Sequence, residues 1–390
     1  LAYKEVISAN KYRGIPEKDL RIWHQSRSFY EFISRFKRIP LIGTTAFALF
    51  DKIQRIPNFY PRRDLSRPSF QVKQVYRLIK KQNWGKDLID YLNQSPKRPI
   101  ITTFFVPAFM AELHKYEGDI YCLITDADFS RNWVALKPAM SKIKYLAPNY
   151  RVVDRLKLYG VKSENIFLTG FPLPKEALGG PKLSSLKFDL AERIYNLDTK
   201  KIYTSKYKGT IKKHLGSMPK KPKHPLTVMF AVGGAGAQRE IGYEIMNSLK
   251  KKIKQKEVRV FLSAGIKKDV YHYFRDAMSE CGLRGELGKS IKIVYDKSKN
   301  KYFEEFNKAL RETDILWTKP SELCFYCALG IPIIMAPPIG SQEFFNQRWL
   351  EAIGAGMDQI DPQYTNEWLF DWVNSGWLAE AAMRGFLEAP

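Results

Sequence analysis

Pro225 to Lys252 reads PLTVMFAVGGAGAQREIGYEIMNSLKKK. Leu226 to Val232 is a short apolar run rich in β-formers, which predicts a buried strand. Gly233, Gly234 and Gly236 follow it, and residues without a Cβ accept positive φ and close approach to the backbone. From Gln238 to Lys250 the apolar residues Ile241, Ile245, Met246 and Leu249 recur at helical spacing. Strand, glycine turn and helix in this order leave unpaired N–H groups and the positive end of the helix dipole at the turn, an arrangement that holds a phosphate or diphosphate. Gly233, Gly234, Ala235, Gly236, Ala237 and Gln238 therefore form a candidate nucleotide-diphosphate site. Glycines also relieve crowding between a strand and a helix, and the residues alone leave both readings open.

Around this stretch the chain has 390 residues, too many for one ordinary core, so two domains are expected. A hydrophobic share of 45% places it among globular proteins, and a net charge of +24 calls for an anionic partner. Nucleic acid, an anionic lipid surface and a phosphorylated substrate all qualify. Four cysteines give no disulfide framework and suit a reducing compartment. Cys324 and Cys327, a lone CxxC inside LCFYCALG, read as small core residues rather than metal ligands. The N-terminal sequence is too polar for a signal peptide, and the apolar run from Ile39 to Phe50 is interrupted by Pro40 and Gly43. A spanning helix needs roughly 20 apolar residues. The protein is expected to be soluble or to lie on a membrane without crossing it.

Residues 1 to 70 alternate basic and aromatic side chains, among them Trp23, Phe29, Phe32, Arg35, Phe36, Lys37 and Arg38. Such a face can sit among lipid headgroups, burying rings and pairing cations with anionic lipid. The same rings could instead face the protein's own core. Nucleic acid also fits interleaved basic and aromatic residues, but no recognition motif appears in its required context. From Val72 onward helices and strands alternate. Helices are expected at Val72–Gln82, Gly85–Leu92, Ala108–Tyr116 and Tyr150–Tyr159, and strands at Pro99–Phe105, Asp119–Thr125, Lys142–Ala147 and Glu164–Thr169. Apolar strands separated by helices indicate a parallel sheet covered on both faces. No clean strand precedes residue 38, so the first domain's opening strand is expected to lie outside the chain given or to be atypical.

Gly179 to Pro225, rich in Gly, Ser, Pro and Lys, reads as an interdomain connection. The second domain then repeats the α/β pattern, with strands at Val258–Ala264, Ile291–Tyr295, Asp314–Thr318 and Pro332–Ala336. Helices are expected from about Asp269 and at Tyr302–Arg311 and Glu322–Leu329. Thr365 to Phe386 is an amphipathic helical tail that could pack back over both domains.

TKPSELCFYCALGIPIIMAPPIGSQEFFNQRWLEAIGAG, Thr318 to Gly356, resembles the donor-binding end of monogalactosyldiacylglycerol synthases and of the bacterial enzyme that adds N-acetylglucosamine to lipid I. The matching features are the turn Thr318-Lys319, the turn Gly330-Ile331-Pro332 and the segment Gln342 to Asn346. YCLITDADFSRNW and YLAPNYRVVDRLKLYGVKSENIFLTGFPL resemble the galactolipid synthases over Tyr121 to Leu173. The resemblance covers roughly residues 100 to 360. It implies an α/β fold of GT-B type, glycosyltransferase family 28-like, with two doubly wound Rossmann-like domains facing a central cleft. Residues 1–175 would then be the acceptor-side domain, 176–224 the connection, 225–364 the nucleotide-sugar domain and 365–390 the returning tail.

The implied activity is transfer of a sugar from a nucleotide-diphosphate donor, UDP-linked in the resembled family, to a lipid or lipid-linked acceptor. It would be inverting, would use neither metal nor separate cofactor, and would take place peripherally on the cytoplasmic face of a membrane. Donor contacts would come from the glycine turn with Thr318, Lys319, Ser321, Glu322, Gln342, Glu343 and Asn346. Phe104 and Phe105, where family members have His near Thr103, would face the acceptor with the N-terminal aromatics. The family's Glu for the donor ribose is replaced by Phe325 or, without a gap, by Cys327, and Glu322 could take over. Asp126 and Asp128, at a strand end, are candidates for the base that deprotonates the acceptor. A D-x-D pair holding a metal and a simple turn cap remain alternatives, and a non-catalytic module that binds a nucleotide or polyanion is the rival from another class.

Overall fold

A computed structural model of the chain describes residues 7–36, 56–94, 98–232 and 236–389. They divide into two compact units, Leu1–Gly170 with Gly340–Gln342, and Phe171–Ile339 with Glu343–Pro390. Both are α/β.

The first unit holds a four-stranded sheet, β1 (Ile100–Thr102), β2 (Ile120–Leu123), β3 (Ile143–Ala147) and β4 (Ile166–Leu168), in that order and all parallel. Its core joins Ile120, Cys122, Ile143 and Tyr145 of the strands to Val72, Ile79, Phe109, Val152 and Leu156 of the helices. Two of those helices start where a side chain satisfies an orphan amide: Ser69 Oγ accepts from Val72 N at 3.2 Å, and Asn149 Oδ1 from Val152 N at 2.9 Å. The strand expected at Pro99–Phe105 is shorter. It ends at Thr102, whose hydroxyl bonds the backbone of Phe104, and Phe105 already opens the helix Phe105–Leu113.

The second unit is built on a six-stranded parallel sheet: β5 (Leu226–Ala231), β6 (Val258–Gly265), β7 (Ile291–Tyr295), β8 (Ile315–Thr318), β9 (Ile333–Met335) and β10 (Gly356–Asp358). The spatial order is β10-β9-β8-β5-β6-β7. The chain moves outward from β5 through β6 to β7, returns to the other side of β5, and moves outward again through β8 and β9 to β10. This is the doubly wound order, with its switch point between β5 and β8. All six residues of β5 and all four of β8 are buried, as strands covered on both faces require.

Residues 176–224, expected to connect domains, fall within this unit and contribute to its core. The helix Ser184–Leu197 sends Leu186, Leu190, Ile194 and Leu197 into it, and Arg193, fully buried, donates to the carbonyls of Thr313, Leu329 and Leu310. The tail forms two helices, Thr365–Asn374 and Trp377–Glu388, packed on the same core through Trp368, Leu369, Leu378 and Met383. Among the described residues no helix is long and apolar enough to cross a membrane.

Candidate functional site

In an open α/β sheet, ligands settle outside the carboxyl ends of the strands, at the switch point. Here the turns after β5 and β8 leave that edge side by side. After β5 the glycine turn runs into the helix Glu240–Ser248; Gly233, Gly234 and Ala235 lie outside the described residues. Gly236 sits at φ 72°, in the left-handed region that only glycine adopts freely, and Gln238 at φ 63°. Ile241 N donates to Gln238 O at 3.2 Å and Gly242 N to Arg239 O at 3.0 Å, so the helical ladder begins within the turn and takes up these two amides of the first turn. Gln238 Nε2 donates to Pro337 O at 3.1 Å, which ties the turn to the loop after β9. Arg239 reaches back to Asp269 at 3.6 Å and over the ring of Tyr273.

A cation missed in the sequence joins this turn. Lys267 follows β6, and a Cβ placed on Gly236 would lie 3.9 Å from its Nζ. Half-buried, and without an ion-pair partner among the described residues, it is placed to meet an anion held by the turn. The signal was present, a lysine just beyond the unit's second strand, but nothing in its spacing separates it from the chain's other lysines.

After β8 the predicted donor residues divide. Thr318 is fully buried and its hydroxyl donates to Ala231 O at 3.1 Å, clamping β8 to β5, which corrects its assignment as a donor contact. Asn346 is likewise fully buried and donates to Pro320 O at 3.2 Å, so it shapes the turn rather than touching a ligand. Lys319 Nζ pairs with Glu343 Oε1, and Glu343 Oε2 accepts from Ile339 N at 2.7 Å. This pair fixes the loop and largely cancels the lysine's charge. Ser321 is different. Its Oγ is buried without a hydrogen-bond partner, a costly state that a ligand would relieve. Glu322 next to it is exposed at the start of the 3-10 helix Glu322–Leu329. Ala237 is half-buried in the glycine turn, and Gln342 is half-buried in the short segment grouped with the first unit.

Phe325, where the resembled family carries its ribose carboxylate, stacks on Phe171 with centroids 3.4 Å apart, and Trp349 meets both rings edge-on. The ribose role is therefore unavailable at Phe325 and at the fully buried Cys327. Cys324 is equally buried, and burial raises the Cys327 thiol well above its ordinary range, as small core residues require.

In the first unit Asp128 is corrected from candidate base to counter-ion. Arg155 donates to both its oxygens at 2.8 Å, Arg151 adds a bond at 3.0 Å and Phe129 N one at 2.9 Å, all around a carboxylate that is 1% exposed. Asp126 is half-buried on the loop after β2. Phe105 is buried against Phe109 and Trp133, which corrects its acceptor assignment, whereas Phe104 is 42% exposed. Trp23 packs edge-on against the buried Trp84, centroids 4.7 Å apart, so this ring serves the core. Phe29, Phe32, Arg35 and Phe36 belong to the helix Glu17–Phe36, their side chains outside the description, and Lys37 and Arg38 lie outside the described residues. Among the described residues no three His, Cys, Asp or Glu side chains converge as a metal set would.

A family model described as "Domain of unknown function (DUF6938)" matches residues 217–367. No curated protein matches by sequence. Similar solved structures include MurG of Acinetobacter baumannii, 14% identical, covering 82% of this chain and 73% of that one with a TM-score of 0.41. UDP-GlcNAc 2-epimerase of Neisseria meningitidis bound to UDP-GlcNAc is 10% identical, covering 87% and 85% with a TM-score of 0.45. Anabaena Alr3699/HepE in complex with UDP and glucose is 11% identical, covering 80% and 77% with a TM-score of 0.44. Values this low leave the chemistry to be read from this chain's own residues.

Proposed function

We propose that the protein is a GT-B-type glycosyltransferase that holds a UDP-sugar at the β5/β8 switch point and passes the sugar to a lipid or lipid-linked acceptor. One observation carries the reading: the glycine turn, with Lys267 beside it, and the Ser321 turn leave adjacent strands of a doubly wound sheet at the edge where such sheets bind nucleotides. In the proposed step the acceptor oxygen attacks the anomeric carbon while the bond from that carbon to the diphosphate oxygen breaks, with inversion. Negative charge grows on the departing diphosphate. The turn amides and Lys267 then bind the transition state more tightly than the ground state, in place of a metal, and the donor is itself the substrate, so no separate cofactor takes part. Ser321 Oγ gains its missing partner on the donor, and Glu322 takes the ribose diol. Asp126 is the proposed base.

The net charge of +24 and the exposed Phe104 support a peripheral position on the cytoplasmic face of a membrane. Calorimetric titration with UDP and UDP-sugars tests the donor site. Saturable binding that weakens in Lys267→Ala is expected, and silence at millimolar nucleotide sinks the proposal. Flotation with anionic liposomes at low salt tests the location, and protein left at the bottom of the gradient refutes it.

The stack of Phe325 on Phe171 favours a second reading, a non-catalytic module that binds a nucleotide or polyanion. Transfer or hydrolysis of any nucleotide sugar by the purified protein excludes that reading.

A further inference from the structure

The second unit carries a cavity of about 1390 Å³ at the opposite edge of its sheet from the glycine turn, beside the entries to β5 and β6. Ile211, Met218, Leu226, Phe370 and Val373 give it an apolar floor. Lys201, Lys208, Lys212 and Lys220 line it as well, all four solvent-exposed. Lys208 and Lys212 stand one helical turn apart on Lys208–Leu215, a like-charge spacing that costs a helix a few tenths of a kcal/mol when nothing neutralises it. Among the described residues none of the four lysines has an ion-pair partner, and the two acids in the wall are already used. Asp198 accepts from the amides of Tyr203 and Thr204 at 3.1 and 2.7 Å, and Glu257 pairs with Lys252 at 3.1 Å. The volume exceeds the roughly 300–1,000 Å³ of ordinary small-molecule pockets, so an extended ligand suits it better than a compact one.

We infer that this cavity binds an amphiphilic anion, a molecule with an extended apolar body on the floor of Ile211, Met218 and Leu226 and a phosphate head among Lys201, Lys208, Lys212 and Lys220. The floor supplies affinity through apolar area removed from water, and several ammonium point charges suit a head with several oxygens. The site stands on residues separate from the nucleotide crevice and does not rest on the proposed transferase activity.

The test is calorimetric titration of the whole protein with decyl phosphate below its micelle concentration, against decyl maltoside and inorganic phosphate as controls. Saturable binding of decyl phosphate is expected, tighter than either control. The surface double variant Lys208→Glu/Lys212→Glu should weaken it by roughly ten-fold or more while leaving the thermal transition in place. A second arm measures sedimentation with phosphatidylglycerol vesicles to separate a free amphiphile from a membrane surface. Equal binding of the maltoside, unchanged affinity in the double variant, or capture by vesicles with no monomer binding overturns the inference. If instead Phe370→Ala and the lysine double variant each lower decyl phosphate affinity while UDP titrations stay as in the parent, the cavity is the site.

Discussion

Replacing Asp128 by Asn separates a structural carboxylate from a catalytic one. The change keeps volume and shape but leaves Arg155 one acceptor in place of two, and it removes the negative charge from a site where Asp128 is 1% and Arg155 0% exposed. Arg151, its side chain 35% exposed, can turn to water, so the loss falls on Arg155. Breaking one side of a buried ion pair costs about 3–5 kcal/mol, because the partner charge stays buried without compensation. At about 2–4 °C per kcal/mol for a unit of this size, the transition of the first unit should fall by about 6–20 °C in scanning calorimetry. The paired change Asp128→Leu with Arg155→Met should recover most of that loss, since an apolar pair of similar volume replaces the ions. A variant that melts within about 2 °C of the parent refutes the counter-ion assignment, because a buried pair worth keeping cannot be that cheap.

Ser321→Ala deletes a hydroxyl that has no partner, so folding stability should hold or rise by up to about 1 kcal/mol while UDP affinity falls several-fold; lowered stability with unchanged affinity would show a structural role. Gly385 lies where a Cβ would come 2.4 Å from Cys327 O, a backbone atom, so Gly385→Ala should lower the second unit's melting transition by an overpacking cost of about 1–3 kcal/mol, and an unchanged melt counts against that packing. Asp314 is wholly buried and burial pushes its carboxyl up to about 6. The unfolded chain ionises this group near pH 4 while the native one keeps its proton, so stability should fall as pH rises from about 4 to 6, by on the order of 3 kcal/mol. Asp314→Asn should flatten that slope in urea titrations, and an identical slope in both proteins places the pH dependence elsewhere.

The strands were legible because doubly covered strands are nearly unbroken apolar runs, as at Leu226–Ala231 and Ile333–Met335. β10 was not, since Gly356-Met357-Asp358 is three residues held by pairing with β9, with no periodicity to display. The lysine-rich run after Gly179 looked like a linker because its apolar residues are sparse, yet Leu186, Leu190, Ile194 and Leu197 were spaced for one buried face. At the site, sequence located the turns but could not tell which side chains the protein keeps for itself. Thr318 Oγ1 and Asn346 Nδ2 donate to backbone carbonyls, and Asp128 spends its charge on two guanidiniums. Such commitments depend on distant partners. Lys267 escaped for the converse reason, since only the fold sets it beside Gly236.

β5 and β8 touch along their length, but the chain threads two more strands and several helices before it returns from one to the other. No fragment that stops short of β8 can possess the crevice. A molecule lodged there would rivet early and late portions of the polypeptide together. Amide exchange near Ala231 and near Thr318 should therefore slow in step when it binds, a correlation that a ligand resting on one turn alone would not produce.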